Sequence, residues 1–148
     1  MKNEIKKIDR DYVVLRVTDW KQRLDHLFSD ISDWSKNVKE DIEIKQYDIP
    51  QAREELMSKF DVEPMTINSL VLSDTDSRAS FIPLGLWVIG SNGRVNISTK
   101  KHQYILFDLG DDNTSPLWTL VNPTHRKERI SFNKEALTKI IKDEELFE

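Results

Sequence analysis

The chain has 148 residues, 38% apolar and 32% charged, with a formal net charge of −4 and no cysteine. That length and balance predict one soluble domain with a sizeable core, not a disordered or membrane chain; no run nears the roughly 18 to 20 apolar residues of a span. Lacking cysteine, it has no disulfide, thiol nucleophile or Cys-ligated zinc. Its polar start, MKNEIKKIDRD, has no apolar leader, so the expected location is cytoplasmic.

The first element is a helix running from Thr18, where Trp20, Leu24, Leu27, Phe28, Ile31 and Trp34 recur at three and four residues and Thr18 is placed to cap. Before it, YVVLRV (12–17) is β-rich, suiting a strand, or alternatively leads into that helix. Ile42 and Ile44 alternate with Asp41, Glu43 and Lys45, the mark of a half-buried strand. Pro50 then opens a short helix, QAREELMSKF, carrying Leu56, Met57 and Phe60 and ended by Glu63-Pro64. Beyond it the texture becomes β: TINSLVL, a polar turn SDTDSR, and ASFIPLGLWVIG with a bend or edge position at Pro83.

Gly90-Ser91-Asn92-Gly93 could cradle a phosphate or turn the chain. A cradle needs a helix directly after the glycines, whereas RVNIST alternates, and the Lys-Ser/Thr of a P-loop is missing. Asn92-Gly93 instead suits a two-residue type I′ hairpin. That turn sets Gly90 opposite Val95, Val88 opposite Ile97 and Leu86 opposite Thr99. A second reversal near Lys100-Lys101 sets Ile97 opposite Tyr104 and Val95 opposite Leu106; Lys-Lys suits a type I′ turn poorly, which leaves room for a longer loop. The other face of this meander gathers Trp87, Ile89, Arg94, Asn96, Ile105 and Phe107. A sheet covered on one side should be polar on the other, so something covers part of this second face. Either another layer of the same chain does so, or a partner protein anchored by these six residues.

GDDNTSP is a loop, Leu117 to Val121 a strand and Asn122-Pro123 a break; Thr124-His125-Arg126-Lys127 could grip an anion or an acidic partner but reads more simply as a solvated connection to ERISF. Asn133 fits an N-cap, Phe132 a staple onto Leu137, and Leu137, Ile140 and Ile141 a buried stripe. The acidic tail DEELFE opposes the helix dipole and is expected to fray. Together these elements predict an α+β fold: an antiparallel meander around residues 81–121, about four to six strands in the sheet, packed against N-terminal and C-terminal helices. One domain over 1–148 divides into an α-rich part (1–63), a β-rich part (64–132) and a terminal helix (133–145).

Few residues advertise chemistry. Asp41-Ile42-Glu43-Ile44-Lys45 resembles half of the PD-(D/E)xK nuclease signature. The resemblance implies a metal-binding role for Glu43 and assistance of the attacking water by Lys45. The family's further Asp, on a preceding adjacent strand, has no counterpart, since Asp30 and Asp33 fall on the helix. His26, His102 and His125 stand far apart without metal spacing, and the oxygen-rich loops lack the EF-hand pattern. No cofactor or metal is expected. The leading expectation is a non-enzymatic protein-binding domain, in its concrete form an inhibitor or immunity-type protein of bacterial or phage origin. The acidic balance suits a basic protein partner and disfavours nucleic acid; a homo-oligomer stays open, and no membrane role is expected. The alternatives are the nuclease built on Glu43 and Lys45 and a small-ligand or nucleotide sensor.

Overall fold

The computed structural model describes residues 7–88, 91–111 and 114–147. Helix α1 spans Arg10–Val38, capped by Asp9, whose carboxylate accepts the Tyr12 N–H at 2.9 Å. It therefore begins well before Thr18, which lies inside it and donates its hydroxyl to the Val14 carbonyl. Val13 and Val17 extend the buried stripe of Trp20, Leu24 and Leu27, and that burial outweighs the modest helix penalty of β-branched residues.

Strand β1 is Glu43–Pro50, and Pro50 closes this edge strand, where a missing donor costs no ladder bond. The short helix α2 occupies only Glu55–Lys59. Strands β2 (Thr66–Ser73), β3 (Arg78–Gly85), β4 (Arg94–Thr99), β5 (Gln103–Asp108), β6 (Trp118–Asn122) and β7 (His125–Ser131) follow, then α3 (Lys134–Ile141). The seven strands form one antiparallel sheet in sequential order, β1 to β7, which is more strands than the sequence suggested. The fold is α+β, as expected. His125, Arg126 and Lys127 belong to edge strand β7 rather than to a loop, a placement where charges deter edge-to-edge association.

The β4–β5 register is the expected one, with Ile97 opposite Tyr104 and Val95 opposite Leu106. Thr99 N–H bonds the His102 carbonyl at 2.9 Å, so the Lys100-Lys101 loop is tight. The β3–β4 register is not the expected one. Ile97 pairs with Phe81 and Thr99 with Ala79, and a register shift between Pro83 and Gly85 breaks the ladder at the predicted bend. Asn92-Gly93 is thus no hairpin turn between Val88 and Ile97; Val88 bridges Ser91 instead. Phe81 beside Ile97 fills the core in a way that the local preference of Asn-Gly does not offset. The expected Gly90–Val95 pair lies outside the described residues.

Inward-facing rows follow from this pairing: Leu70–Phe81–Ile97–Tyr104 and Val95–Leu106–Leu120–Ile130. They join one apolar cluster with the buried stripes of α1 and α3, including Trp20, Phe28, Leu137 and Ile140. Asn133 caps α3 as predicted, accepting from the Ala136 N–H at 2.9 Å. The acidic tail does not fray. The Asp143 N–H bonds the Ile140 carbonyl, the Glu144 N–H bonds the Lys139 carbonyl, and Asp143 is left-handed at φ 57°, the bonding of a Schellman motif. That reversal returns Phe147 to the core beside Tyr104.

Candidate functional site

Alternation in β3 to β7 places a second set of residues on the sheet face opposite the helices. One cross-strand row there reads Ile82–Asn96–Ile105–Val121–Arg129, and the next reads Gly85–Arg94–Phe107–Thr119–Ser131. Ile105 and Val121 are 3% and 1% exposed, yet neither belongs to the cluster beneath α1 and α3. Ile82 at the end of their row is 47% exposed. The buried apolar residues of α1 and α3 all lie in the inner cluster. Among the described residues, then, α1 and α3 do not cover this outer face, and other groups of the chain already bury Ile105 and Val121 at its centre.

Its polar groups are ordered. The Arg94 guanidinium sits 6.0 Å from the centre of the Phe107 ring and donates from Nε to Asn96 Oδ1 at 2.9 Å. Burial, and then the charge of Arg126, hold the Arg94 pKa below the ordinary guanidinium value. The turn into β7, displaced by a register shift after Val121, brings Pro123 and Arg126 to a cavity of about 150 Å³ that Arg94, Asn96 and Ile105 also line. Of the six sequence candidates, Arg94, Asn96, Ile105 and Phe107 share this face. Ile89 lies outside the described residues.

Trp87 is elsewhere, which corrects its place in the set. The chain leaves the sheet after Gly85, and the Glu54 carboxylate accepts the Leu86 and Trp87 N–H groups at 3.0 Å each. Leu86 is buried and Trp87 half-buried against the main core. The β3 extension that would have carried Trp87 across the sheet does not form. Arg126, which the sequence offers within a loop cluster able to grip an anion, belongs instead to β7 and lines a cavity with Arg94 and Asn96.

A second polar assembly joins α1 to the loop after β5. Arg23 donates to Asp108 Oδ2 at 2.6 Å, to Asp19 at 2.7 Å and to the Asp111 and Thr114 carbonyls. The other Asp108 oxygen accepts the Gly110 and Leu117 N–H groups at 2.9 Å. Burial would lower the Arg23 pKa, but the bonds to Asp108 and Asp19 raise it on balance. An open cleft of about 390 Å³ beside this network is lined by Asp19, Gln22, His26, Asp30, Ser115 and Trp118. The network orders the loop and aims no unsatisfied group from Arg23 or Asp108 toward the cleft.

The nuclease candidates sit on the opposite edge. Glu43 and Lys45 pair with each other at 2.8 Å, both more than half exposed, and the hydrogen bond that Lys45 donates to Glu43 raises the Lys45 pKa. Asp41 and Asp74 line a hollow with Glu43, but Lys39 binds Asp74 at 2.6 Å and holds its pKa far below the carboxylate range. Among the described residues, no three His, Asp or Glu side chains are grouped to hold a metal. His102 is bound by Asp143 and Glu145, and His125 lies 3.6 Å from Glu128.

These features define the class: an α+β protein whose seven-stranded antiparallel meander packs α1 and α3 against one of its faces. No family model, curated protein or solved structure matches the chain. Among the described residues, no helix is long and apolar enough to cross a membrane.

Proposed function

We propose that this chain is a non-enzymatic binding domain of the cytoplasm that engages a protein partner through the outer sheet face, as an inhibitor or immunity-type protein would. One observation carries the reading: Ile82 stands 47% exposed at the end of a row that α1 and α3 do not cover, with the Phe107–Arg94 pair alongside. Apolar ground rimmed by arginine is the composition of interface centres, where aromatic and arginine side chains concentrate binding energy. Absence of cysteine suits a reducing compartment. The cations Arg94, Arg126 and Arg129 on this face favour an acidic contact patch on the partner, although the chain as a whole is acidic.

The test is affinity capture from the native host with the wild-type chain and with Ile82→Asp, a change at an exposed position. Affinity of the identified partner is then measured by calorimetry. A loss of about tenfold or more on Ile82→Asp is expected, from a charge placed in an apolar contact. Equal affinity for both chains would remove the outer face from the function.

A further inference from the structure

We infer that Arg94 and Arg126 form a receptor for a single carboxylate group, presented by an acidic side chain of the protein partner. The inference rests on the proposed outer-face binding but concerns a pocket that can be tested without the partner. Two guanidinium groups converge on one cavity of about 150 Å³. Arg94 is held there by two contacts: its Nε donates to Asn96 and its guanidinium carbon lies 6.0 Å from the centre of the Phe107 ring. Among the described residues, its Nη groups have no hydrogen-bond partner in the protein, and Arg126 forms no ion pair. A chain with 26 acidic residues against 22 basic ones leaves these two cations unneutralised on the same wall. The burial of Arg94 and the nearby charge of Arg126 act against its charged form, which is the electrostatic state an incoming anion relieves.

The surroundings select the anion. Asn96, Ser98 and Gln103 supply neutral polar groups, while Ile105 forms an apolar wall. Arginine recognises planar carboxylates through paired N–H donors. The adjoining Ile82 and Phe107 reward an apolar neighbour on the partner, which a nucleic-acid backbone does not offer. The chain's net negative charge also opposes the long-range approach of a polyanion.

The experiment is a titration followed by heteronuclear NMR, reading the Arg94 Nε–H signal and the amides of Asn96, Gln103 and Arg126. Three probes are compared at constant ionic strength: a hexaglutamate peptide, inorganic phosphate and a single-stranded oligothymidylate. The expected result is saturable shifts of these signals with hexaglutamate. Affinity should fall about tenfold in Arg126→Ala, an exposed site where loss of one charge-assisted contact leaves the fold intact. An unchanged affinity in that variant, or shifts spread evenly over all surface lysines and arginines, would overturn the receptor. Tighter binding of phosphate or of the oligonucleotide than of hexaglutamate would overturn the carboxylate assignment. Saturable hexaglutamate binding alongside partner affinity indifferent to Ile82→Asp would uphold the pocket while removing the outer-face function.

Discussion

Two residues decide local structure more than their neighbours suggest. Gly93 has φ +139°, and a Cβ there would lie 2.1 Å from the Trp20 ring. Gly93→Ala should therefore cost more than about 2 kcal/mol from strain and overpacking together, read as a lowered midpoint in urea; an unchanged midpoint would contradict the contact. Asp108 is fully buried against Arg23. Replacing it with Ala takes one of two carboxylates from Arg23, which keeps Asp19, and leaves the Gly110 and Leu117 N–H groups without their acceptor, so it should destabilise by about 2–3 kcal/mol, whereas the Arg23→Met, Asp108→Leu double variant should cost less than the sum of those two single changes. Strict additivity in that double-mutant cycle would contradict the pairing. Neither role was legible in the sequence. Asp108 read as one of several loop oxygens because its partner lies 85 positions away, and Gly93 read as a turn because the ring that requires it belongs to a distant helix.

At the scale of elements, local chemistry was a good guide wherever it agreed with burial. Asn133 caps α3, Pro83 marks the break in β3, and the faces of β4 and β5 follow from alternation. It failed where long-range packing competed: Thr18 yielded to the earlier cap Asp9, and Asn92-Gly93 yielded to the Phe81–Ile97 pair. The acidic tail is the clearest case. Helix-dipole reasoning made it fray, but His102 holds Asp143 at 2.8 Å and Glu145 at 3.0 Å. The Asp143 bond, with help from Glu145 and against burial, raises the His102 pKa above its ordinary 6.5. Burial would raise Asp143, but the Thr99 hydroxyl, His102 and the Lys101 N–H hold it below 3.8.

The sign follows from linkage. The His102 contribution is full below pH 6.5 and disappears as pH rises through the raised folded value; the Asp143 contribution is full above pH 3.8 and disappears as pH falls through the lowered one. Tail docking is thus strongest between those limits. Hydrogen exchange of residues 142–147 should accelerate between about pH 6 and about pH 8 beyond the intrinsic pH effect in the wild type, and not in His102→Gln. Identical pH profiles for the two chains would contradict the latch.

For the whole molecule, a seven-stranded meander commits the buried stripes of α1 and α3 to one face, and on the other the chain buries Ile105 and Val121 but leaves Ile82 47% exposed. The sequence disclosed half of that face, the half carried by β4 and β5. It offered Arg126 only within a separate loop cluster and did not join it, Arg129 or Ile82 to that face, because their position depends on register and on the turn after Val121, neither of which local residue types determine. It misplaced Trp87 for the same reason. The outer face accounts for the alternation of buried apolar and unpaired basic groups, and the edge pair Glu43–Lys45 and the α1 cleft stand apart from it. The most direct measurement is the affinity of the captured protein partner for three variants: Ile82→Asp on the face, Lys45→Ala on the β1 edge and Gln22→Ala in the cleft. A loss of about tenfold or more for Ile82→Asp alone is expected; wild-type affinity in Ile82→Asp, with a loss in either of the others, would contradict it.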